Sequence, residues 1–431
     1  MVPPCQVARA AIALSAALAC VACAAPASAQ DSTLSVDSAV VALTAPPRPG
    51  LRVRPLFAPM SLYSSSRGVG IGGGIEVRGI GAPDAELELQ VRLSERFQGA
   101  ETVYFSGDRH LRPLFGMVGG AIATTDRLAF YGVGPGSDQD AKLWLDQVSG
   151  EVEGRVGWYP SRNSILMLQP VARFQYDRLD GYEPARDSAL IVIQPADRTL
   201  LDSLVGEPRY GLEVGLQAIS DTRDRLASPN RGFLVQGGIS RFLAFDGSNL
   251  IVNRFELSGY RFFPAPIALT FLPERGAIFL RGSLVITRQS GGDREILPPY
   301  YLPFLDAELL AGYPPRRFVG RDGFSVGVGT RGTILALFGA VLIEGFSIVM
   351  LGNAYDDFFG QFSPAVAFDA EPVDPNERVP LRPSAAVGVN IVTIDRDRPI
   401  IGGLLGIGPE GVVLSSFRIV YDIRSYRPRV R

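Results

Sequence analysis

Beyond its first 23 residues the chain has no cysteine, and in its whole length it has a single histidine, His110. Cys5, Cys20 and Cys23 are the only thiols, so disulfide frameworks, thiolate zinc sites and thiol catalysis are closed to everything after them. One imidazole removes most transition-metal sites and leaves histidine catalysis one candidate. A basic excess is missing too: 42 Lys and Arg face 44 Asp and Glu, for a formal net charge of −2. That excludes the electrostatic footprint of a nucleic-acid binder, and no nucleic-acid partner is expected. Apolar residues are not scarce, at 46%, which excludes a disordered chain.

At the N-terminus, Arg9 precedes an apolar run from Ala10 to Ala25, and Ala27-Ser28-Ala29 follows. A short positive region, a hydrophobic stretch and a small-residue step describe a secretory signal peptide spanning residues 1–29. A retained membrane anchor and a lipid anchor on Cys20 or Cys23 are the alternatives. Residues 30–54 are expected to form a short periplasmic leader, and residues 55–431 one domain.

That domain alternates. Ala85, Leu87, Leu89, Val91 and Leu93 share one face, with Glu86, Glu88, Gln90, Arg92 and Ser94 on the other. Val148 to Trp158, Leu212 to Ala218, Arg254 to Tyr260, Ile278 to Thr287 and Phe417 to Arg424 repeat the pattern. Period two over about ten residues is a strand, and that length, tilted, crosses a bilayer. A soluble sandwich alternates as well, but an exported chain with many long strands and charges in mid-strand fits a membrane barrel better. Trp158, Tyr159, Phe262 and Phe263 are expected in its interfacial girdles.

The run from Ile334 to Gly352 carries Glu344 as its only charge and is long enough for a membrane helix. Its Val and Ile content favours two strands turning near Phe338-Gly339, although the lumen-facing polarity is missing. Short turns fall at 160–163 and 228–232, and long loops at 178–206, 289–322 and 369–382. Strand parity puts the two short turns on one side and the first two long loops on the other.

Asp221-Thr222-Arg223-Asp224 followed by Pro229-Asn230-Arg231-Gly232 resembles the DTRD…P-x-x-G turn of the Omp85 superfamily, the BamA/TamA-like group also called bacterial surface antigen D15. Tyr131-Gly132-Val133-Gly134-Pro135 resembles its FYGxGP segment. Leu302-Pro303-Phe304-Leu305 and then Leu310 to Arg331 resemble its long sixth loop and the strand after it. The resemblance implies an all-β, antiparallel transmembrane barrel of about sixteen strands, with the sixth external loop folded into the lumen. Fourteen strands is the alternative, because residues 98–145 divide ambiguously.

In the family, an arginine at the loop tip pairs with acidic residues on barrel strands. Here Ala311 precedes Gly312-Tyr313 at that place, and Gly329 stands where a lumenal Glu is expected ahead of Arg331. Glu344 matches the second acidic position, and it is expected to pair with Arg317 or Arg331. A second alignment makes Arg317-Phe318 the tip. Arg281, Arg288, Arg317 and Arg321 are expected to form a lumenal ion network holding the loop, or alternatively a ring selecting anions. By resemblance, Gly70 and Gly72 on the first strand and Phe417 and Tyr421 on the last border the seam. The leader is too short for a folded POTRA module.

Gly68 to Gly73 satisfies GxGxxG, but without a parallel strand and a following helix it reads as a glycine-rich barrel strand. Ser106, Asp108 and His110 crowd one turn and read as a solvated loop, the hydrolase being the minor alternative. The acidic stretch from Asp369 to Glu377 lacks Ca²⁺-ligand spacing. The expectation is a non-enzymatic outer-membrane protein without cofactor or metal, acting in outer-membrane protein insertion or translocation. A channel for small anionic solutes is the alternative. Its expected partners are outer-membrane lipids including lipopolysaccharide, and periplasmic chaperones or accessory subunits.

Overall fold

A computed structural model describes residues 51–415, apart from 57–62, 65–67, 81–84, 95, 107–113, 161–163, 226–227, 266–275, 292–296, 306–308, 339–340, 370–371, 375–376 and 394–397. The export signal at 1–29, Asp108 and His110, and Phe417 and Tyr421 lie outside the described residues.

The chain is a meander of long antiparallel strands. It opens with β1 (Arg52–Leu56) and β2 (Tyr63–Ser64), which pair end to end with β3 (Gly68–Arg78) as one interrupted strand. Next come β4 (Glu86–Ser94), β5 (Phe97–Ser106), β6 (Leu114–Phe130), β7 (Leu143–Trp158), β8 (Leu166–Pro184) and β9 (Pro208–Asp221). These are followed by β10 (Gly232–Ala244), β11 (Ile251–Pro264), β12 (Ala277–Gly291), β15 (Asp322–Leu337), β16 (Val341–Tyr355), β18 (Val379–Thr393), β19 (Arg398–Gly408) and β20 (Gly411–Ser415). The sheet has 16–17 strands, depending on whether the interrupted strand counts once or twice. Within the sixth loop, β13 (Phe304–Leu305) pairs with β14 (Phe318–Val319), and β17 (Phe362–Val366) lies parallel to β18. Residues 98–145 divide into β5, β6 and β7. At the far end β20 approaches β2 to within 8 Å, Cα to Cα, with no ladder pairing between them among the described residues.

Polarity along the strands is inverted relative to a soluble sandwich. On β4, Glu86, Glu88 and Gln90 are buried while Val91 and Leu93 are exposed. Across the sheet Val156, Leu216, Ile239, Leu257, Val328 and Val349 are exposed, whereas Glu76, Glu153, Arg281, Arg331 and Asn390 are buried. The wall therefore presents hydrocarbon outward and charge inward, as a bilayer requires. Inside, Arg173 reaches Glu153 at 2.5 Å and Glu213 at 3.1 Å, and Arg78 reaches Glu76 at 2.7 Å.

The run 334–352 is two strands. β15 ends at Leu337, Phe338 turns with φ of +52°, and β16 starts at Val341. Its missing lumenal polarity has a physical cause. Phe346, Ile348 and Met350 face inward, but there they pack against Leu310, Ala311 and Tyr313 of the sixth loop rather than water.

The connections differ from expectation at their edges. Strand β8 runs on to Pro184, and residues 185–207 hold helices α1 (Ala189–Val192) and α2 (Pro195–Leu204). Pro195 suits the first helical position, and Leu200, Leu201 and Leu204 bury one face against Leu143, Leu145 and Leu179. Strand pairing begins at Arg52, not at residue 55. Accordingly Gly70 and Gly72 sit on the second strand position, inside the edge formed by β1 and β2. Of the expected girdle aromatics, Trp158 and Phe263 are exposed, while Tyr159 and Phe262 turn inward and are buried.

Candidate functional site

The described residues of the sixth loop, 297–305 and 309–321, turn back into the lumen, and the tip lies directly on the backbone of β19. A Cβ on Gly406 would fall 1.9 Å from the carbonyl oxygen of Ala311, and one on Gly312 would fall 2.3 Å from that of Ile407. Only hydrogen at both positions lets the two backbones approach so closely. Tyr313, next in the chain, packs edge-on against Phe318 with ring centroids 4.8 Å apart. Ala311 and Gly312-Tyr313 thus form the tip, and Arg317-Phe318 lies on the returning arm.

Arg317 is buried and holds three polar groups. Its Nε donates to Glu410 Oε1 at 2.7 Å, and its terminal nitrogens donate to Ser137 Oγ at 2.8 Å and to the Ser137 carbonyl at 3.2 Å. The guanidinium also lies over Tyr131, 5.5 Å from the ring centroid. Glu410 occupies the hairpin between β19 and β20. Burial pushes its carboxyl above the usual range, against the opposing pull of Arg317.

The Tyr131–Pro135 segment is the hub of this cap. Gly134 N–H donates to the Val319 carbonyl of the sixth loop at 2.7 Å, and Val133 N–H donates to Asp197 of α2 at 3.2 Å. Gly132 and Gly134 adopt φ of +103° and +85°, and a Cβ on either would strike Asp197 or Asp356, respectively. The motif's glycines therefore make room for two carboxylates, one buried on Asp197 and one half-buried on Asp356. Burial raises Asp197 to about 6, against the Val133 hydrogen bond, with Asp356 adding to the rise.

At the opposite end, Arg331 on β15 faces Glu344 on β16, Nε to Oε2 at 3.9 Å. The turn 222–231 closes over this pair: Ser228 Oγ donates to Glu344 Oε1, and Arg331 donates to the Pro229 carbonyl. The turn is self-satisfied. Arg223 forks onto Asp221 with both contacts at 2.9 Å, Thr222 Oγ1 accepts from Phe233 N–H, and Asp224 Oδ1 accepts from Asn230 and Arg231 N–H. Gly232, at φ of +98°, lies where a Cβ would meet the Thr222 carbonyl oxygen at 2.3 Å.

Of the two arginines expected for Glu344, Arg331 lies beside it together with Ser228, whereas Arg317 goes to Glu410, because the loop's returning arm lies at the other end of the lumen from Glu344. Other expectations need correction. The four arginines do not form one network. Arg281 is lumenal and lies over Tyr260. Arg288 points to the outer face, bound to Asp322 at 2.5 Å and Asp357 at 3.0 Å, and Arg321 is exposed. Gly329, where the resemblance would place a lumenal carboxylate that this chain lacks, faces aromatic carbon: a Cβ there would meet Phe279 Cζ at 2.4 Å. Glu410, Ser137 and Ser228 were not singled out in the sequence; the Gly408–Gly411 turn was the available signal for Glu410. Among the described residues no cluster of three or more His, Cys, Asp or Glu is placed to hold a metal.

An apolar outer wall, a charged interior and a buried external loop define an antiparallel transmembrane barrel with a plug. No protein-family model matches the chain, and no curated protein does. Solved structures do. CdiB from Escherichia coli superposes with a TM-score of 0.50 at 7% identity, over 84% of this chain and 61% of its own. BamA from Haemophilus ducreyi lacking POTRA domains 1-3 gives 0.47 at 13% identity, over 82% and 69%. CdiB from Acinetobacter baumannii gives 0.44 at 10%, over 85% and 64%. The chain thus spans 61% to 69% of the length of these chains. The fold is a large antiparallel barrel of the kind seen in CdiB from Escherichia coli.

Proposed function

We propose that this chain is a non-enzymatic member of the Omp85 superfamily that acts in outer-membrane protein insertion or translocation, with the sixth loop and the sheet edge as its working parts. One observation carries the reading. The buried loop rests on β19 and is fastened by Arg317 to the hairpin joining β19 to β20, the strand that approaches β2. Withdrawing the loop unfastens the strands nearest the edge, so plug movement and edge opening are mechanically linked. Outer-membrane lipids, including lipopolysaccharide, and periplasmic chaperones or accessory subunits are the partners this reading implies.

Planar-bilayer recording of the purified full chain tests it. The intact protein is expected to be closed and to open on deletion of residues 297–321. Cysteines placed on β2 and β20 have no competing thiol after Cys23, and their oxidation should abolish client insertion without changing folding. Steady, ion-selective conductance by the intact protein would instead support a passive channel.

A further inference from the structure

The outer wall over β9 to β12 is not uniformly apolar. Val214, Arg241, Asn253 and Arg288 are cross-strand neighbours in one outward row. Directly beneath, toward the end where β9 leads to β10 and β11 to β12, lie Leu216, Ile239, Phe255 and Ile286. These two rows line a concave cavity of about 610 Å³. Below them the wall is thinned by missing side chains: Gly237 stands between Ala218 and Leu257, and Gly259 pairs with Gly282. A groove therefore runs down the lipid-facing surface from a polar head.

The charges at that head are unequal. Arg288 is balanced by Asp322 and Asp357. Arg241 is exposed, and no carboxylate, carbonyl or ring among the described residues partners it. It lies three residues short of the extracellular end of β10 at Ala244, about 10 Å along the strand. A guanidinium on a lipid-facing wall is costly unless an anion meets it, and its planar fork matches phosphate oxygens two at a time.

We propose that this groove binds one phosphate-bearing lipid of the surrounding bilayer, with its phosphate on Arg241 and an acyl chain along the glycine-thinned wall. The choice of lipid over a free anion follows from continuity: the floor below Arg241 is apolar and opens onto the same surface that meets hydrocarbon. The proposal rests on the wall facing lipid. If that were wrong, the full chain would purify without detergent, a result visible before any binding is measured.

The test reconstitutes the full chain into phosphatidylcholine vesicles containing a minority of phosphatidylglycerol, extracts it, and counts retained lipid by native mass spectrometry. Intact protein is expected to keep one phosphatidylglycerol. Arg241→Gln should lower its occupancy about tenfold, the loss of one charge-assisted phosphate contact. Gly237→Leu should also lower it while leaving Arg241 in place. Its Cβ meets Leu257 Cδ1 at an ordinary 3.6 Å, so the wall accommodates it. Arg261→Gln, whose guanidinium lies over Phe263 5.3 Å from the centroid at the other end of the wall, should change nothing. Heat-modifiable gel mobility confirms that each variant is folded. Undiminished lipid on Arg241→Gln, an equal loss on Arg261→Gln, or displacement of the lipid by inorganic phosphate alone would overturn the proposal.

Discussion

Arg317 and Glu410, 93 positions apart in the chain, meet at 2.7 Å with both side chains 2% exposed. A buried pair of this kind is a poor source of net stability, because two charges were desolvated to make it. Breaking one half, however, leaves the other stranded, at a cost of about 3–5 kcal/mol. That asymmetry suits a latch that must hold as a unit and release as a unit.

The single variants Arg317→Leu and Glu410→Leu should therefore each loosen the plug more than the double variant does. Limited proteolysis within the sixth loop and channel opening in planar bilayers both read this. A double variant as open as the sum of the singles would remove the latch from the account.

A second pair closes the other end. Glu344 takes a hydrogen bond from Ser228, and Arg331 gives one to the Pro229 carbonyl, so a turn and two strands share one buried charge pair. Glu344→Ala should cost about 3–5 kcal/mol by stranding Arg331, against about 1–3 kcal/mol for Ser228→Ala, which unpairs one acceptor. Thermal loss of the compact, heat-modifiable form in detergent measures both. Equal losses would mean that the turn, not the ion pair, holds this end.

Much of this architecture was legible in the sequence, for definite reasons. Alternation at Glu86–Ser94 is enforced residue by residue, since a one-position slip would put Glu86, Glu88 and Gln90 into lipid. The Asp221–Gly232 turn was legible because it satisfies itself locally, Arg223 on Asp221 and Gly232 against Thr222. The long-range partners were not. Arg317 with Glu410, and Ser228 with Glu344, lie 93 and 116 positions apart and carry no local signature. The outward orientation of Arg288 was obscured because a mid-strand arginine reads as lumenal unless its outer-face acids, Asp322 and Asp357, are known.

Gly329 offers a test of how this barrel does without the ion pair its resemblance implies. A Cβ there meets Phe279 Cζ at 2.4 Å and the Ser347 carbonyl oxygen at 2.6 Å, so Phe279 occupies the position a carboxylate would need. Gly329→Glu should destabilise by about 3 kcal/mol or more, from overpacking and from an unpaired buried charge together. Adding Phe279→Ala should recover part of that loss, although Phe279→Ala alone removes a buried ring. A double-variant cycle with no coupling between the two would show that Phe279 is not what fills the site.

Asp197 gives the cap a dependence on pH whose sign follows from its burial. Its carboxyl is raised to about 6 in the folded cap, from an ordinary value of 3.8. Below pH 3.8 both folded and undocked forms are protonated, and the group costs nothing. Between there and about 6 the undocked form loses its proton first, so docking weakens as pH rises. Above the folded value the full penalty applies, roughly 3 kcal/mol. Asp356 is raised in the same direction by burial, opposed by Arg321, and adds to the trend. Asp197→Asn keeps an acceptor for the Val133 N–H and removes the charge. Hydrogen exchange in residues 131–142 and 189–204 should slow in this variant at pH 7.5 and become nearly independent of pH between 4 and 7.5. In the unaltered chain it should quicken across that interval beyond the intrinsic amide trend. If exchange in the variant keeps the same pH profile, Asp197 is not the group that tunes the cap.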